Sequence, residues 1–445
     1  MNEIPLSSYG LSSSSPAPVN RMMADFAADF RDGVDINLGV GYVNEDTIPA
    51  DRIRVAFDEV LDKTDRYRQP LNYGGPTGSR VLIDSIRRFL IDNDNAVGGL
   101  DADALAGREI IIGPNGASSL LESLAYILPK GIVVTADPMY YIYTDFLVRN
   151  GFELLTVPED SEGLQTGLLA GKIAALGPRA DEIRMFYVVT VNNPSCVILS
   201  NARRGELVAA AGELSDRLGR KVPVIFDRAY EDLIHDPRVG PRRSALADDD
   251  GKIVYEVGTL SKVLAPALRI GYMIGAGGAF LRAMVQRTSD AGFSAPQITQ
   301  SLGSWLLDHQ IVAQLESVRA GYRAKALAVR RWIDERLGAG IESVSGGRAG
   351  FYFYLTFRDI ETHEASDFFK YLTRTTGRSD IDGPPGARNP RVIYIPGEHC
   401  VNPNGELAEV GRRQLRLSYG FEGLQAIDRA ISLMRQAADY AQESA

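Results

Sequence analysis

Lys262 lies in the run Gly258-Thr259-Leu260-Ser261-Lys262-Val263-Leu264-Ala265-Pro266-Ala267-Leu268-Arg269, among small, hydroxylated and apolar residues. A crowded apolar setting disfavours the ammonium, so a lysine there loses its proton more readily than one in water. The neutral amine forms a Schiff base with an aldehyde. The hydroxyls of Thr259 and Ser261, with Arg269, form a set that can hold a phosphate. An aldehyde and a phosphate on one small molecule describe pyridoxal 5'-phosphate (PLP). The same run also reads as a strand end followed by a turn with Lys262 solvated, and a short motif alone does not separate the two.

Three further segments carry compatible chemistry. Val224-Ile225-Phe226-Asp227-Arg228-Ala229-Tyr230 reads as a buried strand ending in an acid, with a tyrosine just beyond. Ligands of open α/β sheets bind at the carboxyl ends of strands, and an acid there keeps a pyridine nitrogen protonated, making the ring an electron sink. Tyr230 is placed to donate to the ring's phenolic oxygen, while Asp227 equally suits a helix N-cap. Phe186-Tyr187-Val188-Val189-Thr190-Val191-Asn192-Asn193-Pro194 is a second apolar strand. Asn193 there offers an amide N–H to the same oxygen and Pro194 fixes the turn; an ordinary Asn-Pro turn is the plainer reading. Ile110-Ile111-Ile112-Gly113-Pro114-Asn115-Gly116-Ala117-Ser118 runs from a strand into a small-residue turn, then into helical spacing at Leu120, Leu121, Leu124 and Ile127. Free N–H groups at that helix start, around Gly116, Ala117 and Ser118, bind phosphate or take a simple cap.

The order of these segments along the chain is specific. With Asp137-Pro138-Met139-Tyr140 between the first and the Asn-Pro strand, it resembles the class I and II aminotransferases of PLP fold type I, from about Ile36 to the C-terminus. The Ser-Lys-x-Leu-Ala-Pro-x-Leu-Arg run is similar to the kynurenine and 2-aminoadipate aminotransferase branch, and the aminocyclopropane-carboxylate synthases share much of this framework. The resemblance implies that Lys262 carries the cofactor and moves the substrate proton, and that Asp227 partners the pyridine nitrogen. It places Asn193 and Tyr230 on the phenolic oxygen and the Tyr140 ring on the cofactor face. Gly116, Ala117, Ser118, Thr259, Ser261 and Arg269 fall at the phosphate. Arg416 matches the arginine that grips the substrate α-carboxylate, with Gly41 and Asn193 beside the substrate. Tyr73, in Asn72-Tyr73-Gly74-Gly75-Pro76-Thr77-Gly78, matches a tyrosine that reaches the phosphate of the neighbouring subunit, which implies a homodimer with shared active sites.

Departures from the pattern lie in the substrate shell. The family's Asn-Pro-Thr-Gly is Asn193-Pro194-Ser195-Cys196 here, and its Pro-Gly-x-x-Phe is Pro396-Gly397-Glu398-His399-Cys400. A Gly-Gly-x-Phe element becomes Gly346-Gly347-Arg348-Ala349-Gly350-Phe351, with residues inserted. The leading expectation is a PLP-dependent enzyme that moves an amino group from an amino acid to a 2-oxo acid. Elimination, replacement or carbon–carbon bond formation, for example on S-adenosylmethionine, is the alternative, since one cofactor frame hosts them all. A third possibility is an effector sensor of the kind found in bacterial regulators with an aminotransferase-like domain, against which the short N-terminal arm leaves no room for a winged helix.

The elements that position these residues follow from apolar spacing. Residues 1–50 are expected to form an N-terminal arm, 51–305 a large cofactor-binding domain, and 306–445 a linking helix and small α+β domain that also takes part of the N-terminal segment. Helices are expected over 53–61 and 79–92, then alternating strands and helices from about Glu109 to Tyr272, giving an α/β fold with a mostly parallel sheet covered by helices on both faces. One long helix spans roughly 297–336, Arg378 to Pro390 is a polar surface loop, and an amphipathic helix runs from about Leu424 to Tyr440.

The 445-residue chain carries a net charge of −9, which argues against a nucleic-acid surface. No apolar run reaches the ~18 residues of a membrane span, and Met1 to Asn20 lacks the apolar stretch of a signal peptide. Two distant cysteines suit a reducing, cytoplasmic setting rather than a disulfide framework, and four histidines without ligand spacing suggest no metal site.

Overall fold

The computed structural model describes residues 4–63, 65–94, 100–384 and 386–444. An eight-stranded sheet dominates. Its strands in chain order are β1 (Arg108–Ile112), β2 (Ile132–Asp137), β3 (Glu153–Asp160), β4 (Gly163–Leu164), β5 (Ile183–Val189), β6 (Val224–Asp227), β7 (Val254–Thr259) and β8 (Gly271–Ala276). Their spatial order is β1-β8-β7-β6-β5-β2-β3-β4. The run from β7 to β3 is parallel, while β8 lies antiparallel between β1 and β7.

The central strands are apolar on both faces because both faces are covered. Met185, Tyr187 and Val189 of β5 pack with Ile225, Val257 and Met273 into one buried cluster. Phe186 and Val188 join Val224, Phe226, Val254 and Ile274 in the other. Burial of each such side chain contributes about 1.5–3 kcal/mol, and truncating one, as in Phe226→Ala, costs about 3–5 kcal/mol.

A second, antiparallel sheet follows: β9 (Ile341–Gly346), β10 (Tyr352–Phe357), β11 (Ile395–Pro396) and β12 (Gln414–Ser418), ordered β9-β10-β12-β11. Ile36–Asn37 pairs in parallel with Val392–Ile393, tying the N-terminal segment to this half.

Helices Ala50–Asp62, Arg80–Asp94 and Leu424–Ser444 fall where apolar spacing places them. The long helix differs: it is two helices, Gln297–His309 and Ile311–Arg336. Gln310 leaves helical geometry (φ −130°). The second helix is anchored separately, with Gln314 Nε2 donating to Thr47 O at 2.7 Å and Val263 O at 2.8 Å, so tertiary contacts break a continuous apolar pattern. In the N-terminal segment, helix Pro18–Ala27 buries Val19, Met22 and Phe26 against its own chain. The Arg378–Pro390 loop contains a short helix, Ser379–Asp382, and its position 385 lies outside the described residues. No described helix is long and apolar enough to cross a membrane.

Candidate active site

The carboxyl ends of β1, β2, β5, β6 and β7 converge on one cavity of about 130 Å3. Ten residues singled out from the sequence line it: Ala117, Ser118, Tyr140, Asn193, Asp227, Tyr230, Thr259, Ser261, Lys262 and Arg269.

One end of the cavity is built from backbone and arginine. After β1 the chain turns at Gly116 (φ +70°) into helix Gly116–Ile127, whose first N–H groups have no intrahelical partner. Ser119 steadies the turn, accepting from Asn115 N (3.0 Å) and donating to Gly116 O (2.7 Å). Arg269 is fixed beside it by Nε–H to Asn115 Oδ1 (2.8 Å) and Nη2–H to Asn115 O (3.0 Å). The approach of β8 to this turn requires glycine at 271, since a Cβ there would lie 2.0 Å from Ala117 N. Backbone donors, hydroxyls of Ser118, Thr259 and Ser261, and a held guanidinium make an anion cradle.

At the other end Asp227 is buried at the tip of β6. Tyr187 donates to its Oδ2 (2.9 Å) and Ala229 N to its Oδ1 (3.0 Å). Burial pushes this carboxyl above its usual range, and those two hydrogen bonds with the Lys262 charge oppose the push. Lys262 Nζ donates to Gly41 O at 3.0 Å and lies 5.6 Å from the ring centroids of both Tyr230 and Phe351. Burial, reinforced by the Arg416 and Arg269 charges, pulls its ammonium down to about 8.

Arg416, on β12, is buried. Its Nη1 donates to Asn193 Oδ1 (2.9 Å) and its Nη2 to Gly39 O (2.5 Å). Its guanidinium stacks on Tyr352 at 4.3 Å from the ring centroid. Among the described residues it has no carboxylate partner, and its Nε is buried without a hydrogen bond. A buried cation without a counter-charge is costly unless a ligand supplies one.

Gly41 is joined to the site through Lys262, and Gly116 through Arg269, whose Nη2 lies 3.0 Å from where a Gly116 Cβ would sit. Tyr73 is outside the cavity of its own chain: it is 80% exposed and packs edge-on against Phe293 at 5.6 Å.

Of the departures singled out in the substrate shell, Cys196, His399 and Cys400 do not line this cavity, and neither does Arg416. Cys196 takes a left-handed backbone (φ +51°), and burial pushes its thiol up to about 12. Its side chain fits because the facing residue is Gly350, where a Cβ would lie 2.6 Å from Cys196 Sγ. Burial likewise pushes the Cys400 thiol up to about 12, and His399 Nε2 lies 2.8 Å from Glu364 Oε1.

Sequence reasoning missed Tyr187, Tyr352 and Asn115. Tyr187 shares a sheet face with Asp227 because Val189 pairs with Asp227 and side chains alternate; the signal exists only once the strands are known to be neighbours. Tyr352 meets Tyr230 through their hydroxyls at 2.9 Å, a contact between the two sheets that no local pattern announces.

The profile of the class I and II aminotransferases matches residues 35–377. The chain belongs to that family. It is 26% identical over 422 residues to an uncharacterized HTH-type transcriptional regulator, YisV, of Bacillus subtilis, covering 91% of this chain and 73% of the relative. In structure it is similar to a multiple substrate aminotransferase from Thermococcus profundus (TM-score 0.82, 18% identity, 99% of this chain and 98% of that one). It is also similar to the kynurenine aminotransferase of Pyrococcus horikoshii, solved in complex with PMP (TM-score 0.79, 22% identity, 96% and 95% covered). Both likenesses bear out the large mainly parallel sheet with a smaller antiparallel one.

Proposed function

We propose that the cavity binds pyridoxal 5'-phosphate and that the protein transfers an amino group from an amino acid to a 2-oxo acid. The observation that carries this reading is Lys262: a lysine whose ammonium is pulled down to about 8, hydrogen-bonded to a backbone carbonyl, in one cavity with a buried carboxylate and an anion cradle. The residues fit the cofactor in charge and kind. Ala117, Ser118, Thr259, Ser261 and Arg269 hold its phosphate. Asp227 serves its ring nitrogen, Asn193 and Tyr230 its phenolic oxygen, and the Tyr140 ring its face. When bound, the cofactor supplies an aldehyde for amines and a ring that takes up electron density.

The chain's own residues then divide the work. Arg416 binds the substrate α-carboxylate, meeting the charge its burial leaves open, with Gly41 and Asn193 alongside. Lys262 Nζ, neutral in a substantial fraction of molecules near its shifted pKa, accepts the proton from the substrate α-carbon and later returns it. Asp227 stabilises positive charge at the ring nitrogen. Tyr73, with exposed Leu71 and Phe293, belongs to the face that pairs with a second copy, where it reaches that copy's phosphate.

A second reading is favoured by the match to an HTH-type regulator over most of the chain: the same site then senses its ligand without turnover. Cys196, His399 and Cys400 lie outside the cavity lining, as Arg416 does, so their positions do not separate elimination or bond formation from amino-group transfer.

The test is an absorbance titration of the protein with PLP, followed by a panel of amino acids and then 2-oxo acids, with Lys262→Ala in parallel. Transamination requires a lysine-dependent visible band, its loss with at least one amino acid, and its return with a 2-oxo acid. Firm PLP binding with no conversion of any amino acid or of S-adenosylmethionine would support the sensor reading over both enzymatic ones. No band with added PLP would overturn the cofactor assignment.

A further inference from the structure

Two segments that line the cofactor cavity, one carrying Tyr140 and one carrying Asn193, are joined by the Asn192 side chain. Asn192, buried beside the cavity-lining Asn193, donates through Nδ2 to Pro138 O at 2.9 Å and to Glu159 Oε2 at 2.8 Å. Pro138 belongs to the loop that carries Tyr140, and Asn192 anchors the turn that carries Asn193. The base of that turn is closed by Asn192 N to Val197 O (2.9 Å) and Cys196 N to Asn192 O (2.7 Å). Glu159 is near the end of β3, next to β2 in the sheet, where Asp137 pairs with Pro158.

Among the described residues no lysine or arginine pairs with the Glu159 carboxyl. Burial pushes that carboxyl up to about 8, with Asp137 and Asp160 adding to the push and hydrogen bonds from Ser195 and Asn192 opposing it. Burial also raises Asp137, to about 6, and Asp137 accepts from Asn402 N at 3.3 Å. Two neighbouring buried acids, with Lys172 acting on Asp137 and no ion-pair partner for Glu159 among the described residues, are an unusual choice for mere packing, since apolar residues of the same volume fill such space without the desolvation cost. What Glu159 supplies instead is an acceptor that fixes the rotamer of Asn192. A side-chain amide held on both sides spans a set distance, whereas one held on one side swings.

We propose that Glu159 is a positioning residue: by holding Asn192 against the Pro138 carbonyl, it sets the spacing between the Tyr140 loop and the Asn193 turn, and so the width of the cofactor site. This rests on the reading of the cavity as a PLP site.

The experiment measures the PLP dissociation constant by fluorescence titration of the apo-protein, alongside its melting temperature, for wild type, Glu159→Leu, Glu159→Gln and Asn192→Asp. Asn192→Asp keeps the volume and cannot donate both bonds, since a carboxyl has at most one O–H. Glu159→Leu and Asn192→Asp are expected to weaken PLP binding at least about tenfold, the effect of leaving a buried polar partner unsatisfied. Glu159→Gln, which still offers an acceptor, is expected to restore binding to within about threefold. A merely structural role would lower the melting temperature of Leu and Gln variants alike without this split. Wild-type affinity in Asn192→Asp or Glu159→Leu overturns the proposal, as does a Gln variant as weak as Leu. If Glu159→Leu does not fold, Asn192→Asp decides. Failure of the wild type itself to bind PLP is a separate result and strikes the cofactor reading instead.

Discussion

Replacing Arg416 offers a direct probe of the substrate end of the site, because the structure isolates what that side chain does. Its two Nη atoms each donate one hydrogen to the protein, to Asn193 Oδ1 at 2.9 Å and Gly39 O at 2.5 Å, which leaves a second hydrogen on each for a ligand or for the nearby Tyr141 hydroxyl. A carboxylate can therefore take two charge-assisted bonds, together worth about 3–6 kcal/mol. Arg416→Lys keeps the charge but loses the fork, so about half of that is lost, a fall of roughly 10- to 150-fold in kcat/KM. Arg416→Gln removes the charge and is expected to cost about 3–5 kcal/mol, or roughly 150- to 5,000-fold. The assay follows the half-reaction in single turnover with the amino acid that most changes the visible spectrum of the PLP-loaded protein. The same measurement is repeated with the corresponding amine, which lacks the α-carboxylate. Wild type should prefer the amino acid strongly, and Arg416→Gln should erase that preference while leaving the rate with the amine within a few-fold. If Arg416→Gln discriminates amino acid from amine as well as wild type does, Arg416 does not grip the carboxylate and the assignment is wrong.

Four further expectations rest on local geometry. Formation of the Lys262-bound cofactor needs the neutral amine, and with an ammonium pulled from 10.5 down to about 8 about a tenth of the lysine is neutral at pH 7, against roughly one part in 3,000 for an unshifted lysine. The rate of PLP reconstitution should climb through pH 8 and level off above pH 9; a rate still climbing at pH 10 would contradict the shift. Gly271→Ala places a Cβ 2.0 Å from Ala117 N and 2.4 Å from Gly116 C, backbone that cannot yield, so thermal melts should show a loss of about 1–3 kcal/mol with weakened PLP binding. Gly212→Ala, in helix Asn201–Leu218 with nothing near its Cβ position, should gain up to about 1 kcal/mol. Burial alone would raise the Glu231 carboxyl, but Arg204 (2.5 Å) and Arg228 (2.8 Å) hold it near 2, below its usual 4.5. A depressed acid contributes stability above its unfolded pKa and loses it as pH falls through the folded one, so the melting-temperature advantage of wild type over Glu231→Gln should be full above about pH 5 and shrink toward pH 2. An advantage independent of pH would refute the ion-pair account.

What was legible in the sequence was local in the chain. Lys262, Ser261, Thr259 and Arg269 sit in one run, and the turn after β1, the Asn-Pro turn and the acid after β6 each end an apolar strand. Strand ends are where open α/β sheets bind ligands, so these pieces meet once the strands are parallel neighbours. What was not legible depends on pairings across long stretches of chain. Alternation on Leu415-Arg416-Leu417 leaves the face of Arg416 undecided, and its direction is settled by Leu417 pairing with Phe353 and Leu415 with Leu355 in the small sheet. The break at Gln310 is equally hidden, because apolar spacing continues through it while Gln314 reaches to Thr47 and Val263. Cys196 looked like a change in the substrate shell, yet its partner is Gly350, far along the chain, and together they exchange a glycine and a side chain across one contact.

The division between a familiar cofactor shell and a divergent remainder also has a mechanical side. The cavity lining belongs to the large sheet and the turns that end its strands, so a cofactor held there makes no demand on the small sheet. Arg416 does: it stands on β12 and spends its hydrogen bonds on Asn193, at the end of the large sheet, and on Gly39, in the N-terminal segment. Tyr352 of β10 repeats the link through Tyr230. A carboxylate bound at Arg416 would therefore be linked to three segments at once, since the same guanidinium also holds Asn193 and Gly39. For an aminotransferase that coupling places substrate only when the two sheets are correctly apposed. For a sensor it converts occupancy into a change in that apposition. One set of contacts is thus compatible with both proposed readings, and the test that separates them is whether Lys262 transfers a proton from a bound amino acid.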